Sequence, residues 1–308
     1  MKISIIGAGN VGATAGLFIA QKNLCDHLIL VDIVETVRGK ALDIQQSAAS
    51  LDFETIVEGG TKYEMIAESD IVVNTAGFPR IQGSGSREEL LQKNFQIAKT
   101  VCSSIKKFAP NSIVMNVANP VDSLTYGFYK LLNFESRKVF GMGGLLDCSR
   151  AQTLLSKECG KHISDIKTTI LGTHGDDMVF LKDQTKIHGD SIKKFVGERK
   201  LESIIDKTKK GGAELVEMLG QSGYIAPGAC IAKQVEAIVK NTKNIFCLPA
   251  YLDGEYGHKG LYIGVPAVLG RSGIEKIVEV ELSYKEKEAF EKAVKNTQEM
   301  CRKVDALI

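Results

Sequence analysis

Short aliphatic runs recur through the first half of the chain, at Lys2 to Ile6, His27 to Ile33, Asp70 to Gly77 and Asn111 to Asp122. They are continuous rather than alternating, and they end in glycine, asparagine or aspartate. That is the pattern of strands buried on both faces. Between them, Val11 to Gln21 and Val37 to Ser50 space their apolar residues as helices do, with Ala41, Ile44 and Ala48 on one face. Strands alternating with helices predict a doubly wound parallel α/β sheet, with a ligand at the carboxyl ends of the strands. Gly7, Asp32, Gly77 and Asn119 all fall at such ends.

The second half has a different rhythm. A glycine-rich turn enters a helix over Gly141 to Gly160, a strand runs from Ile166 into His174, and helices follow over Leu201 to Gly220 and Pro227 to Lys240. Leu282 to Ala306 is a charged amphipathic helix that turns Phe290, Val294, Cys301 and Val304 towards the core. We expect a dinucleotide-binding domain over 1–143 and an α+β substrate domain over 144–308. No repeat or low-complexity tract interrupts either.

Composition narrows the class without choosing a function. With 308 residues, 44% hydrophobic and 25% charged, the chain is of ordinary soluble type. A net charge of +2, from 39 basic and 37 acidic residues, gives no reason to expect nucleic acid. No apolar run reaches membrane-spanning length, and the first strand is broken by glycine too soon for a signal peptide. The seven cysteines are scattered without a C-x-x-C pair, which points to reduced thiols in a cytoplasmic setting and to no metal site.

The most specific local signal is Gly7-Ala8-Gly9-Asn10-Val11-Gly12, a G-x-G-x-x-G turn between a strand and a helix. The first glycine allows the sharp turn, the second lets a pyrophosphate approach bare backbone, and the third lets helix and strand pack closely. Asp32 lies twenty residues past Gly12, where a carboxylate hydrogen-bonds ribose hydroxyls and repels a 2′-phosphate. The cofactor expected is NAD.

The segment from Phe78 to Asn94 holds a small-residue centre, Gly83 to Gly85, flanked by Arg80 and Arg87. It reads as a lid that closes on an anion. Asp147 and Arg150 share a helical face, and His174 is the one histidine of five at a strand end among small residues. NAD, an imidazole, a carboxylate to orient it and arginines are the parts needed for hydride transfer at a 2-hydroxy acid. His174 would take the hydroxyl proton and Asp147 would fix its tautomer. Arg150 would grip the substrate carboxylate by a two-bond fork, and Arg87 would polarise the carbonyl.

The motifs GAGNVG, TAGFPR…SREELLQKN, VANPVD, GLLDCSR and GTHGDDMV occur in the order and spacing of the lactate/malate dehydrogenase family, which the chain resembles along essentially its whole length. YLDGEYG…LYIGVPAVLGRSGIEKI looks like that family's final sheet segment. The resemblance implies catalytic roles for His174, Asp147 and Arg87 and substrate contacts from Arg80, Arg87, Asn119 and Arg150. It also implies cofactor contacts from Gly7 to Gly12, Asp32, Asn94, Val117, Ala118 and Asn119, with a cis bond before Pro120. The small dicarboxylate L-malate is the substrate implied, because Arg80 fits the pattern AG-x-P-R and Gly223 leaves room for that arginine. L-Lactate or another 2-hydroxy acid is the alternative. The Arg80-to-Arg87 spacing is one residue longer than in the usual malate pattern, so that counting back from Arg87 puts Ile81 or Gln82 at the discriminating place. Cys148 stands where the family more often has serine. A homotetramer, or else a dimer, is implied as the assembly. Two other classes share the cofactor turn, an NAD-dependent glycosidase, which needs a Cys/His metal site, and a non-catalytic NAD sensor.

Overall fold

A computed structural model describes residues 1–79 and 86–308. Six parallel strands form the first sheet: β1 (Lys2–Ile6), β2 (His27–Val31), β3 (Ile56–Gly60), β4 (Ile71–Asn74), β5 (Ile113–Asn116) and β6 (Val139–Gly141), in the order β3-β2-β1-β4-β5-β6. The connections are α1 (Asn10–Gln21), α2 (Thr36–Gln46), the single turn α3 (Ala48–Leu51), α4 (Arg87–Phe108) and α5 (Val121–Leu132). This is the doubly wound arrangement expected. Its order reverses between β1 and β4, and the crevice opens there.

Isoleucine, leucine and valine fill the central strands because helices cover both faces. Ile3, Ile5, Leu28, Leu30, Val72, Val73 and Val114 are essentially without solvent contact. Two strands are less legible in the sequence. In β3, an edge strand, Ile56 and Glu58 face solvent, and β6 is only three residues long.

From α6 (Gly144–Cys159) onward the sheet character changes. β7 (Ile166–Lys167) and β8 (Ile170–Gly172) belong to different sheets, so the strand expected to run unbroken into His174 is divided. The division falls at Thr168 and Thr169, whose carbonyls accept from Cys148 and from the Leu181 N–H instead of a common ladder. After β9 (Met178–Phe180) come the short β10 (Lys186–Ile187) and β11 (Asp190–Ser191), α7 (Glu198–Leu219) and α8 (Ile225–Val239). β12 (Asn244–Asp253), β13 (Lys259–Gly270) and β14 (Gly273–Ile277) then form an antiparallel sheet with β8 and β9, and α9 (Tyr284–Asp305) closes the chain. On α9, Phe290, Val294, Cys301 and Val304 are buried, as the amphipathic spacing predicts.

One apolar core runs from β1 to α9 through both halves, and a smaller one lies beneath α6, β7 and α7. No helix among the described residues is long and apolar enough to cross a membrane.

Candidate active site

The turn after β1 shows why three glycines are spaced as they are. Gly7 has φ +92°, and a side chain on it would press into the backbone of Ala76 beyond β4. A Cβ on Gly12 would sit 2.0 Å from the Gly7 carbonyl. A Cβ on Gly9 would meet nothing within 4 Å, so the backbone there faces open space. Helix α1 begins one residue later with no side chain capping its first turn, and its N–H groups point into that space. Asp32, at the end of β2, accepts from the Ala8 N–H at 2.6 Å and from the Val34 N–H at 3.3 Å, which fixes the carboxylate at the rim. An open cradle, free helix N–H groups and a fixed carboxylate fit a dinucleotide with unmodified ribose hydroxyls.

Across the switch point, Asn94 ties two loops together. Its amide accepts from the Phe78 N–H at 2.7 Å and donates to the Asn119 carbonyl at 2.6 Å, and the residue is almost fully buried. The Asn119-Pro120 bond is cis, and the Asn119 side chain is exposed at the crevice end of β5. Val117 and Ala118 connect the two, and Ala118 packs under Gly77.

At the other end of the crevice, residues far apart in sequence converge. His174, two residues beyond β8, places Nδ1 2.7 Å from Asp147 Oδ2 in the first turn of α6. Asp147 is only 1% exposed, and its other oxygen accepts from Arg150 Nη1 at 3.4 Å. The helix N-terminus favours the carboxylate, and both of its oxygens are used. Burial alone would lower the His174 pKa. The Asp147 charge and hydrogen bond outweigh it, so His174 protonates more readily than a free histidine despite opposition from Arg150.

Arg87 opens α4, whose start is capped by Ser86 accepting from the Glu89 N–H at 3.1 Å. Arg80, Ile81 and Gln82 lie outside the described residues. Gly223 is where a Cβ would come within 2.8 Å of Leu215 on α7. Cys148 is buried and its thiol donates to the Thr168 carbonyl at 3.5 Å; the Cys247 thiol and burial push its pKa up.

Sequence reasoning passed over Gly211 and Gly212, in the middle of α7. A Cβ on Gly211 would lie 3.3 Å from Arg150 Cδ, and one on Gly212 would lie 3.6 Å from its Nη2. Two glycines inside a helix cost it about 2 kcal/mol against alanine. That pairing was the available signal of a side chain needing room. Asp122, in the VANPVD segment, also escaped notice, yet it accepts from the His174 backbone N–H at 3.1 Å.

The fold and the glycine cradle define a dinucleotide-binding protein of the Rossmann type. Residues 1–141 match the family model of the lactate/malate dehydrogenase NAD-binding domain, and residues 145–307 match that of the lactate/malate dehydrogenase alpha/beta C-terminal domain. The chain belongs to the lactate/malate dehydrogenase family. It is 42% identical over 305 residues to a malate dehydrogenase of Bacillus israeli, covering 98% of this chain and 97% of that protein. It superposes on the crystal structure of Cryptosporidium parvum malate dehydrogenase with a TM-score of 0.96 at 36% identity, covering 99% of each chain. The lactate dehydrogenase of the same organism, solved with lactic acid and nicotinamide adenine dinucleotide, gives a TM-score of 0.94 at 32% identity over 99% of this chain and 98% of that one.

Proposed function

We propose that this chain is an L-malate dehydrogenase, interconverting L-malate and oxaloacetate, with His174 as acid/base and arginines as substrate clamps. The observation that carries the chemistry is the 2.7 Å contact between His174 Nδ1 and Asp147. It commits one ring nitrogen to a carboxylate and leaves Nε2 for the substrate. In malate oxidation Nε2 takes the hydroxyl proton, and Asp147 stabilises the imidazolium that forms. In oxaloacetate reduction the same proton returns to the carbonyl oxygen. NAD, held by Gly7 to Gly12 and Asp32, with Val117, Ala118 and Asn119 at its nicotinamide end, accepts or supplies the hydride. Asn94 braces Asn119 from below.

Arg150 binds the C1 carboxylate, oriented from its other side by Asp147 and given space by Gly211 and Gly212. Arg87 polarises the C2 carbonyl when the lid closes and water leaves. Because Asp147 raises the His174 pKa, malate oxidation weakens as pH falls through that value, and oxaloacetate reduction weakens as pH rises through it.

The malate assignment is supported by the relatives of that name, and the pattern AG-x-P-R makes Arg80 the proposed partner of the distal carboxylate. Cytoplasmic location, a place in the tricarboxylic acid cycle, a domain division at 143/144 and a homotetramer complete the reading. Its test is NADH oxidation by the purified protein with oxaloacetate and with pyruvate. We expect kcat/KM at least about 10³-fold higher on oxaloacetate, since a buried carboxylate paired with arginine is worth several kcal/mol. Arg80→Gln should remove most of that preference. Equal or faster turnover on pyruvate would overturn the assignment in favour of a lactate-type enzyme.

A further inference from the structure

Helix α2 buries Val37, Ala41 and Ile44, and it packs so tightly on β3 that a Cβ on Gly59 would lie 2.6 Å from the Val37 carbonyl. Lys40 stands inside that stripe, three residues after Val37, where an apolar residue is the ordinary choice. It is half-buried, and its ammonium donates to the Ala8 carbonyl at 2.6 Å, across 32 residues of sequence. Among the described residues that carbonyl is its one hydrogen-bond partner. Ala8 lies between the first two glycines of the cradle, and its N–H is already committed to Asp32 at 2.6 Å. A carboxylate therefore holds one side of Ala8 and an ammonium holds the other.

The carbonyl that Lys40 grips belongs to the Ala8–Gly9 peptide, which is trans, so the Gly9 N–H points the opposite way. Gly9 is exposed, a Cβ on it would meet nothing within 4 Å, and its N–H donates to no group among the described residues. We propose that Lys40 is a positioning residue for the cofactor: by gripping the Ala8 carbonyl it presents the Gly9 N–H to the diphosphate of NAD. The positive charge at the carbonyl also polarises the peptide, which strengthens that N–H as a donor to an anion. Because Asp32 grips the other side of Ala8, the group for the ribose and the group for the diphosphate are held in register by one residue. An apolar side chain would suit the α2 stripe as well as the lysine stem does. The ammonium is explained by the cradle.

The inference rests on the glycine turn as the cofactor cradle and is independent of which acid is oxidised. Lys40→Met keeps the stem and removes the donor. By fluorescence titration its Kd for NADH should rise about tenfold, the effect of losing one charge-assisted hydrogen bond. At saturating NADH its kcat should stay within about twofold of wild type. Lys40→Arg, which keeps a charged donor, should recover most of the affinity. Adenosine, which has the ribose and no phosphate, should compete with NADH equally well in Lys40→Met and in wild type. The ratio of the two NADH Kd values should hold from about 0.05 M to about 1 M salt, where the Debye length has fallen to about 3 Å. An unchanged Kd in Lys40→Met overturns the proposal, and so does a Lys40→Arg as weak as Lys40→Met. Weakened adenosine binding would make Lys40 a brace of the rim alone. A ratio that collapses with salt would replace the orientation of the peptide by through-space attraction, and either result overturns the proposal. If Lys40→Met does not fold, Lys40→Gln, whose amide ends one atom short of the ammonium, is put through the same measurements. A Gly12→Ala protein with normal NADH affinity would instead remove the cradle itself, whatever Lys40 does.

Discussion

The two ends of the crevice are specified in different ways. The end proposed for the adenosine and pyrophosphate half of the cofactor is built by one continuous segment, β1, α1 and β2, which carries Gly7, Gly9, Gly12 and Asp32. The end proposed to react draws Arg87 from α4, Asn119 from the loop after β5, Asp147 and Arg150 from α6, and His174 from the loop after β8. In the first, steric demands of the backbone decide which residues are allowed, and those demands travel with the local sequence. In the second, a 2.7 Å contact joins residues 27 positions apart, and it exists only because α6 and β8 pack together. A local motif therefore carries its own geometry, whereas a dispersed site inherits its geometry from the whole fold.

That contrast breaks most sharply at His174. His174→Asn preserves shape and a hydrogen-bonding group but cannot exchange a proton at neutral pH. We expect kcat to fall by about 10³ with NADH binding retained, within the range for loss of a general acid/base. Turnover equal to wild type would remove His174 from the acid/base role. Gly12→Ala should do the reverse. Its Cβ would press on the Gly7 carbonyl and the Thr75 hydroxyl, neither of which can yield without opening the turn. A cost of about 3 kcal/mol and loss of NADH affinity follow, read by thermal melting and fluorescence titration. A Gly12→Ala protein that binds NADH normally would show that the close packing of helix and turn does not hold the cradle.

The same division explains what could be read before the fold was known. The buried strands β1, β2, β4 and β5 announce themselves as apolar runs because both their faces are covered. β3 does not, since it lies at the sheet edge with Glu58 exposed, and three-residue β6 is too short to show a pattern. Periodicity located α9 and its core face. It carried the helix after Val37 through to Ser50, whereas the structure breaks it at Ser47 into α2 and α3. Within the site, residue types and motif order singled out His174, Asp147, Arg150 and Arg87, and the fold accounts for how three of them meet. The sequence could not show that Asp147 divides its two oxygens between a histidine and an arginine. Nor could it show that the Asn94 amide is spent on the Phe78 and Asn119 main chains. Asp122 was invisible for a related reason. Its burial and its hold on the His174 main chain are properties of packing and not of residue type.

Gly211 gives the finest test of the contrast, because it is a local anomaly with a distant cause. A glycine in the interior of a 22-residue helix weakens that helix by about 1 kcal/mol relative to alanine. Nothing in α7 itself calls for it, since its backbone is helical there. The cause is Arg150 on α6, whose Cδ would lie 3.3 Å from an added Cβ, tighter than ordinary contact. Gly211→Ala should therefore keep or raise the melting temperature while displacing the guanidinium by a few tenths of an ångström. A two-bond fork to a carboxylate is sensitive to such a shift, and KM for oxaloacetate should rise about threefold with kcat less affected. Gly212→Ala, with its Cβ at 3.6 Å from Nη2, should have a smaller effect in the same direction. A rise in stability without any change in KM would mean that α7 tolerates a side chain beside Arg150. The glycine pair would then owe nothing to the reacting end of the crevice.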